Sequence, residues 1–290
     1  MHADRPRPSR PEPPEVMELV RLKAEHPELA PAVDMQVALL ALYRRVQSRI
    51  PTARTPPSSR VVGQRLRRGE RLIELSDISL DWSDLRLVLR QTAEILVRHD
   101  ALDTVSHRMI DELLREGGRL EPLVRDWYAE TAPPPSRRTP ELAQHRANLP
   151  AMLDEVLAVA VKPFLARTVE GYGTGVDFSE WGHPWCPYCG AEPELAVIAG
   201  ADERLLICGR CVGRWSWLAV GCPWCGERDA SQLAAFAARD RMYRVYACRT
   251  CRRYLKAVDL RRATRPVFPA VDVVATLPLD AAVVEQGFGV

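Results

Sequence analysis

The sequence predicts an α+β protein: an N-terminal helical bundle followed by two tandem small modules, each built on four cysteines. Three observations carry this. Apolar residues recur with helical period from about residue 16 to residue 172. All eight cysteines fall after residue 185, in four CxxC pairs. The turn CPxCG is written twice, at Cys186 to Gly190 and at Cys222 to Gly226, and each copy is followed by an extended run and another CxxC.

The first 15 residues hold several prolines and no apolar core, so they read as a disordered lead-in rather than a signal peptide or a helix. The helical region spans 16–172. Met35, Leu39, Leu42, Tyr43 and Val46 make one apolar stripe behind Pro31, and a Pro- and Ser-rich connection follows at 51–60. Leu85, Val88, Leu89, Ile95 and Leu96 make a second stripe, with Ser83 as the expected N-cap. Val105, Met109, Ile110, Leu113 and Leu114 make a third, ending at Gly117 and Gly118. After a proline-rich loop at 133–140, Thr139, Pro140 and Glu141 read as cap, first turn and dipole-favoured acid. Pro150 and Pro163 should kink or split the helical stretch beyond. These stripes read as core, and the single histidines His26, His99, His107 and His145 lack a spaced metal partner.

Composition narrows the function. The net charge is +2, so the whole chain does not present a nucleic-acid or membrane field. The most apolar run, Met152 to Ala166, is interrupted by Asp154, Glu155, Lys162 and Pro163 and cannot span a bilayer. With no export signal the expected location is the cytoplasm, where thiols stay reduced and CxxC pairs serve metals more readily than disulfides. There is no phosphate-binding loop of Walker type, and Gly171 to Gly175 follows a helix, so it reads as part of a linker over 173–184.

Two cysteines separated by two residues place both sulfurs on one side of a tight turn. Two such turns supply the four corners of a tetrahedron. The first module, 185–220, offers Cys186, Cys189, Cys208 and Cys211; the second, 221–258, offers Cys222, Cys225, Cys248 and Cys251. Crossed pairing between modules stays open, but only pairing within each module gives both copies the same loop layout. Pro187 and Pro223 preset the turn, while Gly190 and Gly226 supply positive φ so that backbone amides can face sulfur. Two metal ions are thus expected, zinc or iron, in rubredoxin-like or zinc-ribbon surroundings. Closed four-sulfur sites leave no position for substrate, so no catalytic residue is assigned and the protein is not expected to be an enzyme. His183, three residues before Cys186, reads as a cap of the interdomain turn rather than a ligand.

Aromatic residues gather in the same region: Trp181, Trp185, Tyr188, Trp215, Trp217, Trp224, Tyr243, Tyr246 and Tyr254. They read chiefly as the core of small metal-completed folds, with some left to hold a partner. Between Arg204 and Arg265 stand fourteen Arg or Lys against four Asp or Glu, which keeps a nucleic-acid-binding regulator as an alternative although such a partner is not expected. An iron redox protein is the other alternative. The tail, 259–290, predicts two short helical pieces around Pro278 that pack back on the body.

At these motifs the chain resembles the FdhE family of accessory proteins for formate dehydrogenase. The likeness is densest over CPYCG (Cys186 to Gly190), RLLICGRC (Arg204 to Cys211) with Trp215, CPWCG (Cys222 to Gly226) and CRTCRRYLKAVD (Cys248 to Asp259). The tail segment Glu285, Gln286, Gly287, Phe288 also fits, and all eight cysteines match the family's CxxC cysteines by position. The resemblance implies a cytoplasmic, non-catalytic maturation factor associated with iron. Its implied partner is the catalytic subunit of formate dehydrogenase, without membrane insertion, and a homodimer is among the assemblies to expect.

Overall fold

Helices form where the apolar stripes fall, and strands connect the cysteine turns. The computed structural model describes residues 12–51, 57–116, 118–130, 151–173, 175–200, 203–217, 221–238 and 241–289. Most of the expected lead-in, the proline-rich loop at 133–140, the cap at Thr139 and both Gly117 and Pro150 lie outside these residues.

The helical body comprises α1 (Pro14–Glu25), α2 (Ala30–Gln47), α3 (Ser59–Arg67), α4 (Trp82–Arg98), α5 (Thr104–Arg115), α6 (Leu120–Glu130) and α7 (Ala151–Tyr172). Helix α4 packs against α2, α5 and α7, and α2 packs against α7. The periodic residues named from the sequence fill this core: Leu42, Leu85, Leu89, Ile110 and Leu114 are all buried.

Two local expectations are corrected. Asp81, not Ser83, caps α4, its carboxylate accepting from the amides of Ser83 (2.9 Å) and Asp84 (3.1 Å). An aspartate one place outside the helix satisfies two otherwise unpaired donors, whereas Ser83 already lies in the first turn. Pro163 does not split α7, which runs from Ala151 through to Tyr172. Val156, Leu157, Ala160, Val161, Phe164 and Leu165 bury the helix around it. Burying that many apolar side chains outweighs the roughly 3 kcal/mol that an interior proline costs.

Beyond the helices lies one six-stranded sheet in the order β3-β2-β1-β6-β5-β4. The strands are β1 (Pro193–Ile198), β2 (Arg204–Cys208), β3 (Arg214–Trp217), β4 (Leu233–Ala237), β5 (Tyr243–Cys248) and β6 (Tyr254–Asp259). Each module contributes three antiparallel strands. The parallel pairing of β1 with β6, Leu195 opposite Lys256 through Ile198 opposite Asp259, joins them. The modules therefore share a sheet, and their cysteine turns are held in one frame.

Side chains alternate across this sheet. Ala196, Ile198, Leu206, Leu255 and Ala257 belong to the main core that contains the helical body. Leu195, Val197, Ile207 and Val258, on the other face, pack with tail residues Ala275 and Leu279. The tail forms α8 (Pro269–Ala275) and α9 (Leu277–Glu285), with Pro278 in the first turn of α9. Helix α8 also closes a core with α1 and α2 through Val16, Leu19, Leu29, Val33, Leu40, Val271 and Val274. Buried Asp272 fastens it, accepting from Tyr243 (2.8 Å) and Arg265 (2.7 Å). The tail thus bridges the N-terminal helices and the sheet, packing back on the body as its sequence suggests.

Candidate metal centres

The four CxxC turns share one backbone construction. In each, the amide of the first cysteine donates to the carbonyl five residues on: Cys186 to Ala191 (2.8 Å), Cys208 to Gly213 (2.9 Å), Cys222 to Glu227 (2.8 Å) and Cys248 to Arg253 (2.8 Å). The residue after the second cysteine then donates back to the first cysteine's carbonyl, from Gly190 (2.9 Å), Val212 (3.1 Å), Gly226 (3.0 Å) and Arg252 (2.9 Å). That residue has positive φ in all four turns, +77° at Gly190, +62° at Val212, +76° at Gly226 and +61° at Arg252. Glycine suits the position without steric cost; valine and arginine occupy it because the closed turn demands it.

The Gly190 and Gly226 amides thus face carbonyl oxygen, and the backbone amides that face sulfur, as expected for these turns, belong to neighbouring residues. Arg210 and Cys211 amides point at the Cys208 sulfur, and the Gly213 amide points at Cys211, each at 3.4 Å. Such bonds orient thiolates and spread their charge.

The turns bring the sulfurs together in the two sets of four. Cys186, Cys189, Cys208 and Cys211 form one group and Cys222, Cys225, Cys248 and Cys251 the other, with ligand atoms all within 4.8 Å of one another. Sulfur separations are 3.4 Å for Cys186–Cys211, 3.5 Å for Cys189–Cys208, 3.5 Å for Cys222–Cys251 and 3.6 Å for Cys225–Cys248. A tetrahedron with metal–sulfur bonds of about 2.3 Å has edges of about 3.8 Å. A disulfide needs about 2.05 Å. The residues therefore fit two tetrathiolate ions and do not fit disulfides. Zinc and iron are both suited to this donor set.

Their surroundings differ. All four cysteines of the first group are buried, whereas in the second Cys222 and Cys248 are buried, Cys251 is half-buried and Cys225 is exposed. The helical body clamps the first group. Leu72 and Ile73, in the connection after α3, donate their amides to the carbonyls of Pro187 and Tyr188, each at 2.8 Å. Tyr128 of α6 donates to the Ile73 carbonyl (2.9 Å) and Tyr172 of α7 to that of Leu72 (3.1 Å). Arg210 lies 4.4 Å over Trp127, and Arg71 lies 4.3 Å over Tyr128.

The second group is fastened by the tail and the neighbouring module. Arg252 donates to the carbonyls of Gln286 (3.0 Å) and Gly287 (2.8 Å) and covers the ring of Phe288 (4.3 Å). Arg253 pairs with Glu192 (2.6 Å) and lies 4.6 Å over Trp224. The sequence pattern did not disclose these arginine clamps, although Arg210, Arg252 and Arg253 lie within the basic window it singled out.

Electrostatics shows why four thiols in one place want a cation. Burial, followed by contacts with the other thiols, pushes Cys186 and Cys211 well above the usual thiol range. Burial opposes ionisation of Cys189 too, but its three cysteine neighbours donate to it and Arg210 adds its charge, so its pKa falls well below that range. A divalent ion at the centre makes all four thiolates favourable. His183 stacks on Trp185 (4.2 Å) and belongs to neither group.

Trp181, Tyr188, Trp215, Tyr243 and Tyr254 are buried, while Trp185, Trp217, Trp224 and Tyr246 are half-buried. The aromatic cluster is thus largely core. Among the described residues no helix is long and apolar enough to cross a membrane.

No family model matches the chain. It is 28% identical over 142 residues to a protein named Protein FdhE homolog from Aquifex aeolicus strain VF5, a match covering 47% of this chain and 50% of that one. The match therefore spans about half the length of this curated relative. The crystal structure of the FdhE protein from Pseudomonas aeruginosa shares the fold, with a TM-score of 0.59 at 20% identity over 95% of this chain and 91% of that chain. Fold and cysteine groups together define the class: a helical body bearing one sheet with two four-cysteine sites that can each hold a metal ion. The motif likeness and both comparisons agree: the chain is similar to FdhE proteins in sequence over about half of its length and in fold over nearly all of it.

Proposed function

We propose that this protein is a cytoplasmic, non-catalytic maturation factor that binds the catalytic subunit of formate dehydrogenase, with both cysteine groups occupied by metal as ligand sets. The observation that carries this reading is the pair of four-cysteine groups mounted in one sheet of the FdhE fold. Four protein ligands complete a tetrahedron, so each ion would shape a surface rather than activate a substrate. The likeness to FdhE proteins supports the choice of partner.

The basic window is largely engaged inside the fold. Arg244 and Arg261 hold Asp259, Arg265 holds Asp272 and Glu18, Lys256 holds Asp280 and Arg253 holds Glu192. Charges used in this way are poorly placed to track a phosphate backbone, which favours the protein partner over nucleic acid. Co-purification from cells making the catalytic subunit tests the reading. Association, together with loss of formate oxidation in a deletion strain, is expected; no association and normal oxidation would refute it.

The exposed Cys225 supports iron redox as a second reading, because an electron donor can approach that edge. Anaerobic metal analysis separates the two: an iron-free protein that still supports maturation removes the redox reading.

A further inference from the structure

We propose that Arg204, carried by the first module, is the counter-ion of the second module's metal centre, an inference that rests on the metal reading of that second group. Arg204 opens β2 and is only 4% exposed. Among the described residues no carboxylate lies within ion-pair distance of its guanidinium. Asp259, two strands away across Ile198, is taken by Arg244 and Arg261. What Arg204 does have is a long contact from Nη1 to the Gly221 carbonyl (3.4 Å) and the ring of Tyr246 at 4.4 Å. Its Nε has no hydrogen-bond partner.

A buried cation with so little compensation is costly, by several kcal/mol for an unpaired ion in a protein interior. Its surroundings point to what offsets that cost. Gly221 immediately precedes Cys222, and Arg204 lines the same cleft of about 200 Å³ as Cys222, Trp224 and Cys248. Four thiolates around a divalent ion carry a net charge of minus two, a fixed anion against which a single buried arginine is favourable. A residue of one module thus neutralises the site of the other, and the β1–β6 junction carries it there. For iron, the reduced site is the more negative form. Arg204 would favour it, and removing the positive charge would lower the reduction potential of the second centre.

The test is metal release from the full-length protein under chelator challenge, comparing Arg204→Gln with Arg204→Lys. Gln removes the charge and keeps polar donors; Lys keeps the charge. At a separation of several ångströms and intermediate dielectric, losing the charge should speed release of the second ion by on the order of tenfold or more. The first ion should leave at the wild-type rate, and Lys should stay close to wild type. If Gln does not fold, Lys decides: a folded chain with both ions supports the proposal, and failure with the charge intact overturns it. Two ions in the wild type with Gln and Lys indistinguishable would overturn this proposal alone. A wild-type chain holding only one ion would overturn the metal reading of the second group as well.

Discussion

The two cysteine groups are built from the same turns and placed in opposite circumstances. The first is buried on all four sulfurs and hydrogen-bonded to the connection between α3 and α4. The second keeps Cys225 exposed and is fastened by the last residues of the chain. Identical local chemistry thus serves two purposes. One site is a keystone where helices and sheet meet, and the other shapes an accessible edge. The difference arises from what packs over the turns, since the turns themselves match bond for bond.

The sharpest way to break this contrast is to remove one ligand from each group. Cys186→Ser should lose one ion and destabilise the whole protein by at least what a broken buried ion pair costs, about 3–5 kcal/mol. Cys225→Ser should lose the other ion with a much smaller drop in melting temperature. Metal counting with thermal unfolding checks both, and equal destabilisation would erase the distinction.

Gly213→Ala should act next most strongly. A methyl group there would lie 2.5 Å from the Tyr188 ring and 3.2 Å from the Cys211 sulfur. Tyr188 is boxed edge-on by Tyr172 (5.6 Å) and Phe178 (5.1 Å) and has little room to yield. Overpacking of this kind costs about 1–3 kcal/mol, measured by denaturant unfolding, and should loosen the first ion while sparing the second.

The smallest effect concerns the end of β6 away from the second group. Hydrogen bonds from Arg261, with the charge of Arg244 added, hold the buried Asp259 carboxyl down at about 2 against an ordinary 3.8. A lowered carboxylate pKa stabilises the fold above its unfolded value, and this contribution fades as pH falls from about 4 towards 2. Asp259→Asn should therefore cost about 1–3 kcal/mol at neutral pH and progressively less across that acid window. Acid unfolding curves of the two proteins would show the gap closing.

The sequence disclosed most of what the turns do. CxxC spacing named the residues that the structure gathers into two groups, and CPxCG located Gly190 and Gly226. It could not disclose that Val212 and Arg252 adopt the same left-handed conformation, because neither residue type signals it. Nor could it foresee that β1 pairs with β6, since a parallel pairing between distant strands leaves no local pattern. Pro163 misled for a related reason: the proline is local, while the packing that carries α7 through it comes from other helices. Arg204 looked like one more member of a basic window until its burial was visible, with no carboxylate partner among the described residues.

Metal release from the wild-type protein, followed ion by ion under chelator challenge with the fold monitored in parallel, tests the inequality of the two sites most directly. The account predicts two ions per chain, one leaving quickly from the exposed group with the helical body intact and one leaving only as the protein unfolds. Simultaneous loss of both ions, or a purified chain carrying no metal, would contradict it.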